Sequence, residues 1–376
     1  MPTKQITKIG LLSFFGRSTQ GETLLHRLVT LLSTIDPFLH VVAPDLDQGD
    51  FPKISIQPIR YQVGTNSLTQ LWNQLKMQLQ MSVAVIRSSG KTDVWLLYGG
   101  DILILPMVAA RLMRKPAWLI LAGNLESEIK LKKNPLNILQ RASRYICLHS
   151  ANRIVLYSSL LIEEWNLRRF NRKIAITDTH YVNTTKFVPV KPFSEREFDI
   201  GFVGRLSPEK GIMNFLRSLP FVRQQGVDIK VLIVGGGPLE QAVVDWIESN
   251  QLGACVIFRG KVPHETIPGI LNEMKICLLP SYTEGMPNVV LESMACGTPV
   301  VTTPVGAIPD VVRHHDTGFI IKDNSPESIA QGINDALVSE DLARISIKAR
   351  EQILNSFTFE RAQSRLKKLL GWSRDS

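Results

Sequence analysis

Two short segments in the second half of the chain hold residue types suited to an anion and a polyol. The first reads Gly201-Phe202-Val203-Gly204-Arg205-Leu206-Ser207-Pro208-Glu209-Lys210-Gly211. An apolar run ends at Gly204, and the turn after it presents one arginine and one lysine five residues apart. Glycine lets the backbone approach a ligand, the guanidinium offers a bidentate fork, and the ammonium adds a mobile point charge, a set that suits a pyrophosphate. Basic turns after strands are common, so this segment alone decides little. The second, Ser281-Tyr282-Thr283-Glu284-Gly285-Met286-Pro287-Asn288, follows the apolar run 276–280 and leads into a helical pattern from Val289 to Cys296, closed by Gly297. Proline in a first turn and glycine after a last turn bracket a helix. Its start, at Met286, Pro287, Asn288 and Val289, points unpaired N–H groups into the crevice at the strand end and makes an anion site. Glu284 stands just before this helix and Glu292 in its second turn. A carboxylate so placed can accept hydrogen bonds from two neighbouring sugar hydroxyls. Taken singly, Glu284 reads equally as a loop charge and Glu292 as a solvated helix residue.

The elements that must position these residues alternate between short apolar strands and helical patterns, which predicts parallel α/β sheets. In the first half strands are expected over 8–14, 39–43, 94–98, 117–122 and 153–157, with helices over 22–32, 67–87, 136–148 and 159–170. A second series of strands is expected over 199–204, 230–234, 256–259, 276–280, 300–303 and 319–321, and two helical patterns divide near Ser356 and Phe357. Two such runs in 376 residues predict two doubly wound sheets, since one core seldom fills that length. Residues 187–197, with two prolines, charges and no amphipathic period, read as a linker. The expected domains are therefore 1–190, 191–357, and a C-terminal helix over 358–376 that packs back on the first. Ligands of such sheets bind at the strands' carboxyl ends, and a pair of sheets places the reaction in the cleft they face.

Composition excludes several classes. Hydrophobic residues at 44% and charged residues at 20% are those of a folded protein. No apolar run reaches membrane-spanning length; the longest, 94–110, is broken by Gly99, Gly100, Asp101 and Pro106. The start of the chain reads as a first strand rather than a signal peptide. Four cysteines without a Cys-x-x-Cys pair read as buried thiols in a reducing cytoplasm, with no metal site. The net charge of +9 is one-sided: residues 1–195 hold 24 of the 43 Lys and Arg but 13 of the 34 Asp and Glu, so they carry +11 and the remainder −2. The excess gathers at Lys130, Lys132, Lys133, Arg141, Arg144, Arg168, Arg169, Arg172 and Lys173. Such a face suits an anionic membrane or glycan, or serves only as solvated surface; without interleaved aromatic residues it does not suit nucleic acid. Gly16 to Thr23 imitates a phosphate-binding P-loop, but Glu22 occupies the lysine position and would repel phosphate. Asp45-Leu46-Asp47 imitates a metal-binding Asp-x-Asp and reads as a solvated loop.

Together the two segments resemble glycosyltransferase family 4, the retaining group 1 glycosyltransferases of the GT-B fold. The likeness covers nearly all of 199–321 and adds Gly235-Gly236-Gly237-Pro238-Leu239, Phe258-Arg259-Gly260-Lys261-Val262, Glu292-Ser293-Met294-Ala295-Cys296-Gly297-Thr298-Pro299 and Thr317-Gly318. Seven residues separate Glu284 from Glu292, as in the family's paired-glutamate signature. The resemblance implies a nucleotide-sugar donor and a glycan or lipid-linked acceptor, with no cofactor and no metal needed for the chemistry. It implies that Arg205 and Lys210 stabilise the leaving pyrophosphate, Glu292 holds the ribose, and Glu284 binds the transferred sugar near its anomeric carbon. Gly204, Gly236, Lys261 with Arg259, Gly285 and the helix start would frame the rest of the donor, and Gly21 would approach its phosphate. The first half matches less well: Gly123-Asn124 stands where the family often has a histidine, and Tyr181 replaces a glycine of its Asn-Gly-Val-Asp segment. Two other readings stay open, a nucleotide-sugar epimerase on the same fold and a degenerate sugar-nucleotide-binding protein. Location in the cytoplasm, peripheral at the inner face of the cell membrane, completes the expectation.

Overall fold

The computed structural model describes residues 8–14, 21–44, 46, 48–62, 64, 66–123, 137–224 and 229–372. The chain divides into two compact units, Met1–Thr179 with Ala362–Ser376, and His180–Arg361.

The first unit runs β1 (Ile9–Ser13), α1 (Gly21–Ser33), β2 (His40–Pro44), β3 (Ser55–Ile59), α2 (Ser67–Ser88), β4 (Val94–Tyr98), α3 (Ile104–Leu112), β5 (Ala117–Ile120), α4 (Asn137–Ser150), β6 (Arg153–Leu156), α5 (Leu160–Glu164) and β7 (Ile174–Ile176). Its seven strands are parallel in the order β3-β2-β1-β4-β5-β6-β7. β1 and β4 are buried along their whole length, as strands covered on both faces must be, so they read as unbroken apolar runs. β3, β7 and α3 have no counterpart among the expected elements. β3 and β7 are the two edges of the sheet. β3 contains Pro58, which an edge strand tolerates and a central one does not, and β7 has only three residues. The helix expected over 159–170 is shorter: α5 stops at Glu164, Asn166 turns the chain at φ +53°, and a 3₁₀ turn follows over Arg168–Lys173.

The second unit runs β8 (Phe198–Val203), α6 (Ile212–Gln224), β9 (Val231–Val234), α7 (Glu240–Ser249), β10 (Val256–Phe258), α8 (Ile267–Asn272), β11 (Met274–Leu279), α9 (Asn288–Ala295), β12 (Val300–Thr302), β13 (Phe319–Ile320), α10 (Pro326–Leu337) and α11 (Leu342–Ser356); α12 (Phe359–Leu370) begins in it and lies mostly in the first unit. Six parallel strands lie in the order β10-β9-β8-β11-β12-β13. The two-residue strand period sends alternate side chains to opposite cores. Leu232, Val234, Cys277 and Leu279 enter one, and Val231, Ile233, Ile276 and Leu278 the other. Strand order reverses between β8 and β11, which opens a crevice beyond their carboxyl ends.

Residues 187–197 belong to the second unit's packing. Phe187 is in its core, and Val190 N–H donates to Asn272 Oδ1 at 2.8 Å. Arg196, 5% exposed, donates to the Met274 carbonyl, Thr298 Oγ1 and the Cys296 carbonyl at 2.9, 2.7 and 3.2 Å. The division between units falls after Thr179, upstream of this segment. At the other end, α12 carries the chain back into the first unit from Ala362, where Arg365 Nε donates to the Asp178 carbonyl.

Candidate functional site

The turns after β8 and β11 meet at the strand-order reversal, and close backbone approaches lock them together. Gly211 has φ +71°, and a Cβ there would stand 2.1 Å from the Pro280 carbonyl oxygen, so only glycine lets the first turn lie against the end of β11. Tyr282 N–H donates to the Glu209 carbonyl at 2.9 Å. On the other side, Gly235 has φ +143°, and a Cβ would fall 1.8 Å from the Gly204 carbonyl oxygen. Leu206 N–H donates to the Gly236 carbonyl at 3.0 Å. The expected glycine-rich segments thus form one continuous backbone surface.

On that surface Lys210 Nζ and Glu284 Oε1 are 2.6 Å apart, with side-chain exposures of 13% and 8%. Ser281 Oγ donates to the same oxygen at 2.7 Å. The Glu284 backbone is held as well: Ala307 N–H donates to the Gly285 carbonyl at 2.8 Å, and Gly306, at φ +63°, leaves room for both carbonyls. Arg205 is exposed, and its guanidinium has no hydrogen-bond or ion-pair partner among the described residues. A cation held ready without an anion of its own can take one from a ligand.

α9 begins at Asn288, with Pro287 as its N-cap and no side chain capping its first turn. Proline is therefore one position earlier than the first helical turn expected for it. Gly297, at φ +63°, follows the helix as expected. Met286 and Pro287 are buried, and Asn288 and Val289 half-buried. Glu292, 4% exposed, lies in the second turn, 3.3 Å from His264 Nε2. Lys261 is exposed, and a Cβ on Gly236 would come 3.3 Å from its Cβ. Arg259 is engaged elsewhere: it pairs with Glu273 at 2.7 Å and lies over Phe198. The second unit thus holds Arg205, Lys210, Glu284, Glu292, Gly204, Gly236, Lys261, Gly285 and the start of α9. Gly21 opens α1 in the first unit. The loop before it, along with Asp45, Asp47, Asn124, Lys130, Lys132 and Lys133, lies outside the described residues.

Ser281, His264 and Gly306 were not singled out from sequence. Ser281 was legible, being three residues before Glu284 on a strand-end turn. The contacts of His264 and Gly306 arise only when loops 28 and 22 residues away fold over the glutamates. Among the described residues no group of three His, Cys, Asp or Glu could hold a metal ion, and no helix is long and apolar enough to cross a membrane.

The family model of glycosyl transferases group 1 matches residues 183–352. The chain is 30% identical over 199 residues to a putative colanic acid biosynthesis glycosyltransferase, WcaL, of Escherichia coli K12, covering 50% of this chain and 49% of that one. It is 30% identical over 165 residues to a capsular polysaccharide biosynthesis glycosyltransferase, CapM, of Staphylococcus aureus, covering 43% and 42%. The chain thus spans about half the length of these curated relatives. Among solved structures, HepE of Anabaena in complex with UDP superposes with TM-score 0.76 over 97% of this chain and 100% of that one, at 19% identity. Sucrose-phosphate synthase of Thermosynechococcus elongatus gives TM-score 0.76 and 19% identity over 96% and 98%. The chain has the GT-B fold, and within its second unit residues 183–352 are similar to the group 1 glycosyl transferases.

Proposed function

We propose that this protein is a retaining glycosyltransferase that moves a sugar from a nucleotide-sugar donor to a glycan or lipid-linked acceptor. The observation that carries the reading is the Lys210–Glu284 pair at the β8/β11 crevice, beside the exposed Arg205 and the start of α9, whose N-cap is Pro287. Arg205 and the α9 N–H groups bind the donor diphosphate. Lys210 bridges that charge to Glu284, which receives hydroxyls of the transferred sugar. Charge building on the departing diphosphate is met by Arg205 and Lys210, groups oriented before the reaction begins, so the chemistry needs no metal. Glu292, steadied by His264, accepts the ribose hydroxyls, and the turn at Gly236 with Lys261 borders the base. The bound UDP of HepE and the polysaccharide names of WcaL and CapM agree with this assignment. The enzyme works in the cytoplasm, peripheral to the membrane.

The test is incubation of the purified protein, with chelator present, with a panel of nucleotide sugars and a crude glycan and lipid acceptor fraction. Products are read by mass spectrometry and the new linkage by NMR. An α-linked product from an α-linked donor is expected. An inverted linkage would remove the retaining assignment, interconversion of two nucleotide sugars would make the protein an epimerase, and binding without turnover would leave a sugar-nucleotide receptor.

A further inference from the structure

Three helices of the first unit share an unusual surface. α2 carries an outward stripe of Leu68, Trp72, Leu75, Leu79, Val83 and Ile86, between 41% and 80% exposed. Their spacing of three, four and seven residues places them on one face, while Met77, Met81, Ala84 and Val85 supply the buried face. α3 packs beside α2, with Leu105 N–H donating to Gln78 Oε1 at 3.1 Å, and adds exposed Val108 and Leu112. α4 adds exposed Ile138, Leu139, Tyr145 and Ile146. Where the three helices converge, a cavity of about 180 Å³ opens among Leu71, Leu75, Ile104, Leu105 and Leu139. A soluble surface rarely gathers so much apolar area without something to cover it.

Charge identifies what covers it. α2, α3 and α4 contain no aspartate or glutamate, yet carry exposed Lys76, Arg87, Arg111 and Arg141; Arg144, also on α4, is buried against Asp101 and takes no part in this face. A second copy of the chain presenting the same face would set cation against cation with no carboxylate on these three helices to answer it. An anionic lipid surface supplies both an apolar interior for the stripe and negative headgroups for its flanks, and Trp72 and Tyr145 are of the type that settles at such an interface. We propose that the outward face of α2, α3 and α4 docks this protein on an anionic bilayer, with the α2 stripe and the rim of the apolar cavity among the acyl chains. The proposal rests on the membrane location given above but not on the donor chemistry. It places the contact on an apolar surface bordered by cations rather than on the scattered basic runs of the first half.

The experiment uses the full chain with vesicles of phosphatidylglycerol and phosphatidylcholine in equal parts, and with phosphatidylcholine alone. Wild-type protein is expected to co-sediment with the anionic vesicles. Its tryptophan emission should shift to shorter wavelength, and the shift should vanish in Trp72→Phe while sedimentation remains. Leu75→Gln/Leu79→Gln changes only exposed side chains and should lower partitioning at least ~10-fold, leaving the melting temperature and donor binding unchanged. Equal sedimentation of that double variant, absence of wild-type binding, or an unshifted Trp72 in bound protein would each overturn the proposal. So would a dimer in solution that the double variant splits while vesicles fail to bind. Loss of donor turnover, with docking intact, would instead count against the proposed function.

Discussion

Arg205 and Lys210 share one turn but have opposite surroundings, and their substitutions should separate accordingly. Arg205 is exposed and its guanidinium has no partner among the described residues, so Arg205→Ala should remove chiefly ligand contacts. A charged hydrogen bond contributes about 1.5–3 kcal/mol, so kcat/KM should fall about 10- to 100-fold with an unchanged melting temperature. Lys210 is the cationic partner of Glu284, itself 9% exposed. Lys210→Ala should therefore lose activity to a similar degree and also about 1–3 kcal/mol of stability, because a nearly buried carboxylate loses its counterion. Steady-state kinetics beside chemical denaturation checks both; an Arg205→Ala protein as destabilised as Lys210→Ala would refute the division. The places of both cations and both glutamates in the fold were legible in sequence, because their spacing is tied to strand ends and a helix start. That Lys210 pairs with Glu284 was not, since the contact spans 74 residues and exists only because β8 and β11 are neighbours in the sheet.

The elements around the site are held by backbone that tolerates no side chain. At Gly211 and Gly235 a Cβ would collide with carbonyl oxygens of Pro280 and Gly204, and both residues have φ above +70°. Gly211→Ala and Gly235→Ala should each cost about 1–3 kcal/mol and weaken donor binding, because the clash moves the turns that carry Arg205 and Lys210. Gly269 in α8 is the comparison: a Cβ there meets nothing within 4 Å and no positive φ is involved. Gly269→Ala should stabilise by about 0.5–1 kcal/mol through helix propensity and leave donor binding alone. Denaturation with donor thermal shift reads all three, and a neutral Gly235→Ala would sink the account. Element by element, the central strands were legible as apolar runs, whereas β3 and β7 were missed. An edge strand buries less, so selection on its sequence relaxes: β3 carries Pro58 and Gln57, and β7 has half-exposed Ile174 and exposed Ile176. Residues 187–197 deceived in the other direction. Prolines and charges read as a linker because the acceptors of Arg196 lie at Met274, Cys296 and Thr298, far along the chain.

At the scale of the molecule, each unit carries its own sheet, and the four buried cysteines report on both. Cys147 lies in the first unit, and Cys255, Cys277 and Cys296 in the second. Burial pushes the thiols of Cys147, Cys277 and Cys296 up to about 12. Only the thiolate reacts with an alkylating agent, so at pH 8 the folded protein should be nearly inert and modification should follow opening of the unit. The sign of the pH effect follows. A thiol whose pKa is raised on folding holds a proton that the unfolded chain releases above about 9, so stability is full below that pH and falls between about 9 and 12. Melting temperature should decline over that range. Donor binding acts the opposite way. A ligand at 100 times its Kd stabilises the state that binds it by about 2.7 kcal/mol, or about 100-fold in the opening equilibrium. Cys277 lies on β11, whose carboxyl end carries Ser281 and Glu284. Its alkylation should slow by about that factor when a nucleotide sugar binds, read site by site by mass spectrometry, with Cys147 reporting the first unit in the same sample. An unchanged Cys277 rate at saturating donor would mean that the nucleotide sugar does not bind the folded second unit, and the site at β8 and β11 would have to be given up.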